Sequence, residues 1–383
     1  MTNPRVGRLD ARSISVAVGL GVSLYLALDT LVQRASTRRF AEDFDPSFWE
    51  PWKALRSGTN PYPSPIDPLA DGPPFLYPPL SAELTLPLSW LPYTAAAILF
   101  ALGLVVAAAL TLWALDVRAP ALILLWMSSA VVVGAVGGNA TLLVILGVAL
   151  VWRWRDQPSR AAAALVAAIC IKLFVWPIAI WLALTGRYRA AIYSCTASAI
   201  LICASWTLIG FDGLLDYPTL LDSAAEELGK MGFLAYALAI KSTGHIVAVT
   251  VTLAVAGVLL FGVFRYRHDD RASFTLALLA ALYATPIVWV HYFGLLIVPS
   301  VLYGGWLWAA IPLLWIFRLV DVGHPRPAWL IAAYVAITAV FALQALDRRK
   351  HGAVALGASD ALSTTGVPVG TVARTAISEE PAR

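Results

Sequence analysis

Between Arg34 and Leu80 the chain reads RASTRRFAEDFDPSFWEPWKALRSGTNPYPSPIDPLADGPPFLYPPL, with Glu42, Asp43, Asp45 and Glu50 set among aromatic residues. A carboxylate in such a setting can take the proton from an attacking hydroxyl, and Asp43 and Asp45 are the candidate bases. Some 250 residues later, Thr285-Pro286-Ile287-Val288-Trp289-Val290-His291-Tyr292 places a histidine beside an indole in an apolar, proline-containing turn. Histidine donates hydrogen bonds to phosphate or moves a proton near neutral pH. The bland alternative for His291 is an interfacial residue among belt aromatics. Lys172 interrupts an apolar run, and an ionisable group at membrane depth is a functional candidate by default. Its bland alternative is a structural pair with a carbonyl or an acid. Asn139 follows Gly137-Gly138 at the head of another apolar run.

These residues need a scaffold, and composition indicates which. The 383 residues are 60% hydrophobic and 13% charged, with a mean hydropathy of +0.76. Soluble domains run at roughly 45–50% apolar and about 25% charged. The expected class is therefore an all-α polytopic membrane protein. The net charge of +4 comes from arginines in short loops, which fits topology signals and argues against nucleic acid as a partner. Cys170, Cys195 and Cys203 all fall in apolar runs and read as small buried hydrophobes. No His/Cys/Asp/Glu group has metal-ligand spacing, so neither a metal nor another cofactor is expected. Asp269-Asp270, between arginines, reads as a solvated charge run.

Arg5, Arg8 and Arg12 precede an apolar stretch over 13–31 that is long enough to span, and it reads as an uncleaved anchor with its N-terminus inside. The acidic, aromatic loop then emerges outside. Its length allows either an ordered functional loop or a spacer, and its aromatics favour order. Spans are expected at 93–115, 121–136 and 139–152, delivering the chain to the basic run Arg153–Arg160. Residues 161–185 carry Lys172 and Pro177 and have positive charge at both ends. A re-entrant pair of half-helices keeps both basic clusters inside, which a straight span does not. Further spans follow at 190–209, 233–240 with 245–263, 273–283, 295–303, 306–317 and 329–346. The acidic stretch 211–232 lies outside, and Arg348-Arg349-Lys350 stops the chain inside. The expected architecture is one domain over 1–346, about twelve membrane helices with the re-entrant pair, and a disordered cytoplasmic tail over 347–383. Asp43/Asp45, the 211–232 acids and Trp289/His291 then share one outer face.

That set suits transfer of a sugar from a lipid phosphate. The donor carries its own leaving group, so the site needs a base for the acceptor hydroxyl and fixed donors for the departing phosphate. The pattern DF…FW…AL..G.NPY with FLYPPL resembles the polyprenol-phosphate-mannose-dependent alpha-(1→2)-mannosyltransferases, glycosyltransferase family 87. The likeness continues in Gly137-Gly138-Asn139, in Ile171-Lys172 to Pro177 ending at Arg187-Tyr188-Arg189, and in the 285–291 turn, covering roughly residues 15–345. It implies a GT-C-like membrane bundle and an inverting transfer of a hexose, mannose in that family. The donor would be a polyprenyl-phosphate sugar and the acceptor an outer-face lipid or glycan, at the cell membrane. It also implies that the loop aspartate is the base. Asp43-Phe44 matches the family pair, while spacing from Gly58 and Tyr62 falls between Asp43 and Asp45. His291 would meet the donor phosphate or sugar. Lys172, Trp289, Tyr62, Tyr77, Asn139 and Arg56 would form the donor and acceptor surfaces. The chain departs from the family where Gly-Gln-x-Asn is common and where Thr285 replaces a serine. The rival expectation is a transporter or flippase of lipid-linked saccharide, since buried charges and broken helices are shared with secondary transporters.

Overall fold

The computed structural model describes residues 11–37, 40–70, 72–117, 128–304, 307–308, 310–320 and 325–347, with side chains from residue 18 onward. The expectations for Arg5 and Arg8, for the start of the 121–136 span, for Trp306 and for the tail beyond 347 lie outside them. Residues 1–345 form one compact unit, and of the second unit only Leu346 and Asp347 are described.

Among the described residues the secondary structure is helical. The first helix, α1 (Ala11–Ser36), exceeds the expected span at both ends. The described residues of the 34–80 stretch take up regular turns and helices around buried aromatics. It holds a π-turn over Asp45–Trp49, then α2 (Glu50–Ser57), which Gly58 ends at φ 69°. It closes with α3 (Pro79–Thr85). Phe44, Phe48 and Trp52 are fully buried and give the stretch its own core. Phe44 and Phe48 reach Phe100 of α4 (Tyr93–Ala114), with ring centroids 5.2 and 4.6 Å apart. Aromatic contacts of this kind add to the area they bury, which is why so polar a segment orders.

α5 (Ser129–Gly137) starts on Ser128, whose Oγ accepts from Val131 N–H, and ends at Gly138 with φ 72°. α6 (Thr141–Arg153) leads away from that turn, and α7 (Pro158–Ile171) packs back along it. Proline at the first position of α7 and again of α8 (Pro177–Leu184) suits a place where no intrahelical N–H is needed. Between them Lys172 is extended (φ −146°, ψ 123°), so the 161–185 run is broken where its lysine stands. Asp156, just before α7, and Arg187, just after α8, pair at 2.8 Å, and Arg187 and Arg155 both bind Asp270. The two ends of the broken run therefore meet. Asp269-Asp270 is no idle charge run either: Asp269 caps the helix that starts at Asp270, and Asp270 joins this network.

The chain continues through α9 (Tyr188–Ser205), α10 (Tyr217–Leu228), α11 (Ala235–Thr243), α12 (His245–Arg265) and α13 (Asp270–Tyr283). Residues 211–232, expected as a loop, contain α10, whose Leu220, Ala224 and Ala225 turn inward while its acids face out. After α13 the backbone is irregular to Trp289, coils as a 3-10 helix over Val290–Leu296, and passes into α14 (Ile297–Tyr303). The short α15 (Ala310–Leu313) precedes α16 (Ala328–Leu346). Four helical stretches among the described residues are long and apolar enough to cross a membrane: Tyr93–Ala114, Tyr188–Ile209, His245–Arg265 and Ala328–Leu346. Their outward residues include Val106, Val258 and Phe261, more than half exposed, as expected of a hydrocarbon-facing surface.

Candidate active site

The turn between α5 and α6 is built to receive the start of the polar stretch. A helix leaves its last carbonyls without intrahelical partners, and here the incoming chain takes them. Ala41 N–H donates to Val136 O at 2.8 Å, and Asp43 N–H to Gly137 O at 2.9 Å. Gly138 is required by this approach, and Gly137 is crowded by it. A Cβ on Gly138 would sit 2.7 Å from Phe44 Cβ, and one on Gly137 would sit 3.3 Å from Asp43 Oδ2.

The next residue, Asn139, donates from Nδ2 to Asp43 Oδ2 at 3.0 Å. Its Oδ1 accepts from Thr141 N–H (3.0 Å), Thr141 Oγ1 (2.7 Å) and Lys172 Nζ (2.9 Å). Lys172 also donates to Thr141 Oγ1 at 2.8 Å and lies over the rings of Tyr77 (4.9 Å) and Tyr292 (4.6 Å). The geometry follows from helix lengths. α6 carries the chain away from Asn139 and α7 returns it by a similar rise, about 18–20 Å at 1.5 Å per residue. The break at Lys172 therefore falls level with the turn.

Burial pushes the Asp43 carboxyl above its ordinary range; the hydrogen bond from Asn139 opposes this, Glu42 adds to it, and Lys172 and Arg34 oppose it. Arg34 forms a 2.6 Å ion pair with Glu42 beside the site. His291 is buried, its ring 5.1 Å from that of Tyr292, and its Nε2 has no hydrogen-bond partner among the described residues. Lys172 and Arg34 are charged neighbours of both His291 and Asp43. A partly buried carboxylate, two cations and an unpartnered imidazole nitrogen thus gather at one end of the bundle.

Profile comparison covers most of this cluster: the model of glycosyltransferase family 87 matches residues 75–299. The chain belongs to glycosyltransferase family 87. Nothing matches among curated proteins or solved structures. The matched span includes Tyr77, Asn139, Lys172, Trp289 and His291, whereas Asp43, Asp45, Arg56 and Tyr62 precede it.

The other expected site residues of this family 87 chain are placed differently. Asp45 lies in the π-turn with Glu50 and Lys53 as its charged neighbours, apart from the Asn139 network. Burial, then Glu50, raise its carboxyl, and Lys53 opposes them. Arg56 donates to Ser89 O at 2.9 Å. Tyr62 donates to Tyr77 O at 2.7 Å and stacks on Trp206 at 5.0 Å. Tyr217 donates to Leu76 O, so α10 is tied to the first loop through aromatic residues. Trp289 opens the 3-10 helix, its carbonyl accepting from Tyr292 N–H. Arg34, Thr141 and Tyr292 belong to the cluster without having been singled out from the sequence. The only hints were an arginine at the border of the polar stretch and a tyrosine beside the histidine.

Proposed function

We propose that this membrane glycosyltransferase performs an inverting transfer of a hexose, mannose by family resemblance, from a polyprenyl-phosphate sugar to a lipid or glycan acceptor. Asp43 acts as general base on the acceptor hydroxyl, and His291 and Arg34 receive the donor phosphate. The observation that carries this reading is the partly buried Asp43 carboxylate held by Asn139 beside two cations and the unpartnered His291 Nε2. With the carboxylate ionised, its Oδ1, which takes no hydrogen bond among the described residues, accepts the hydroxyl proton. The acceptor oxygen attacks the anomeric carbon from the face opposite the phosphate. The C–O bond to phosphate breaks, and the leaving oxygens meet fixed positive charge and an imidazole N–H. Tyr77 and Tyr292, whose rings flank Lys172, wall the reacting centre.

In the membrane, the run from Pro158 to Leu184 is a re-entrant pair, since its ends meet at Asp156 and Arg187. About twelve membrane helices leave both termini inside and the Asp43 end outside, at the cell membrane. The test is transfer in membranes carrying the full chain, supplied with radiolabelled polyprenyl-phosphate mannose. Glycosidic product that disappears in Asp43→Asn is expected. Movement of intact lipid-linked sugar with no new glycosidic bond would replace this reading with a transporter.

A further inference from the structure

Lys172 sits where a phosphate-binding cation would be sought, yet its ammonium is already fully engaged. An ammonium has three N–H donors and no acceptor. Two of them go to Asn139 Oδ1 and Thr141 Oγ1, and the rest of the group is enclosed between the Tyr77 and Tyr292 ring faces. The residue is 4% exposed.

The consequence falls on Asn139. An amide can be turned over, exchanging oxygen for nitrogen, and its orientation is decided by its partners. Lys172 Nζ and Thr141 N–H are both obligatory donors, and they point at the same Asn139 atom. That atom must be the oxygen. The NH2 group is thereby forced toward Asp43, where it donates to Oδ2 and leaves Oδ1 for the acceptor. We propose that Lys172 is a positioning residue: it acts on the base through Asn139, fixing the amide that aims Asp43, and does not bind the donor phosphate.

This inference rests on Asp43 as the base. Among the described residues, the charged and titratable groups around Asp43 are Glu42, Arg34, Lys172, Tyr77 and Tyr292, with His291 sharing Lys172 and Arg34 as neighbours. Replacing Lys172 by methionine removes one of the two cations among them. It keeps the chain's bulk, and apolar replacement of a buried charge is often tolerated by a fold. The remaining carboxyl loses positive charge, so it gives up its proton at higher pH.

The experiment is a pH series of donor kinetics on the full chain in membranes, with polyprenyl-phosphate mannose as donor. The parent is compared with Lys172→Met, Thr141→Val and Asp43→Asn. For Lys172→Met, kcat falls about 10–100-fold, as for loss of an outer partner of a reacting group. Its donor KM stays near the parent value, and the acidic limb of the profile moves to higher pH. Thr141→Val, which removes one donor to Asn139 Oδ1, moves kcat in the same direction by less and also leaves the donor KM unchanged. Infrared titration of the carboxyl band that vanishes in Asp43→Asn reads the same displacement without turnover. A raised donor KM with the acidic limb and carboxyl band unmoved overturns the positioning role, because it marks a phosphate contact. An Asp43→Asn variant as active as the parent overturns instead the base assignment on which the inference rests.

Discussion

Asn139 and Asp43, 96 positions apart in the chain, are joined by one 3.0 Å hydrogen bond from amide to carboxylate. The bond connects the first polar stretch to the turn between α5 and α6, and it separates two acids that the sequence leaves side by side. Asp43 is inside the network with Lys172 and Arg34 as neighbours, while Asp45 has Glu50, which repels it, and Lys53, which attracts it, as its charged neighbours. Asp43→Asn should therefore lower transfer by at least about 100-fold, the usual contribution of a general base. Asp45→Asn should stay within a few-fold of the parent by the same comparison. Rates measured in membranes with labelled polyprenyl-phosphate mannose decide it, and the reverse ranking would move the base to Asp45.

The same junction predicts an unequal pair of glycine substitutions. Gly138 has φ 72° and no room, with Phe44 Cβ 2.7 Å from the position of an added Cβ; Gly58 has φ 69° and open space. Gly58→Ala should cost about 1 kcal/mol for the left-handed backbone alone. Gly138→Ala adds overpacking against the buried Phe44, for about 2–5 kcal/mol in total. It also displaces Asp43 and so lowers activity, which Gly58→Ala does not. Thermal unfolding in detergent, read beside transfer rates, tests both halves. Equal losses in the two variants would mean that the close approach of the loop has no energetic weight.

How much of this was legible follows from which signals are local. Charge at the loops and the length of apolar runs mark the helices, and α4 and α16 begin and end within a residue or two of expectation. Lys172 and Pro177 interrupt their run on the page as they do in space. The pairing of Asn139 with Asp43 carries no local mark, since it depends on two glycines admitting a backbone from another segment. Arg34 reads as the border of a span and becomes a site cation only once Glu42 is folded beside it. Arg56 reads as a free cation and is committed to Ser89 O. The helix α10 was hidden because its three acids, with Asp212 and Asp216 just before it, outweigh its inward Leu220, Ala224 and Ala225.

The order of the first loop should depend on Trp52. Its ring is fully buried, and its Nε1 donates to Ala82 O at 3.0 Å and to Thr85 Oγ1 at 3.1 Å, tying α2 to α3. Trp52→Phe keeps most of the ring and loses the donor, at a cost of about 1–3 kcal/mol. Trp52→Ala also opens a cavity beside Phe44 and Phe48, and the cost rises to about 3–5 kcal/mol. Limited proteolysis should then cut the 58–78 segment faster in the order Ala, Phe, parent. Unchanged cleavage in Trp52→Ala would show that the loop is held by other contacts.

Glu83 gives a prediction with a definite sign in pH. It lies on α3 half-buried, its Oε1 without a hydrogen-bond partner among the described residues, and burial pushes its carboxyl from 4.5 up to about 7. A folded state that holds its proton more tightly than the unfolded chain is favoured while that proton is present. Stability is therefore complete below the unfolded value and declines as pH rises from 4.5 to about 7, because the unfolded chain ionises first. Glu83→Gln keeps the shape and removes the ionisation. The variant should melt higher than the parent near about pH 8, and the difference should shrink as the pH is lowered toward about 4.5. The size of the effect is limited by the solvent that still reaches half of the side chain. Melting curves that stay parallel across that range would mean that Glu83 ionises as freely in the fold as out of it.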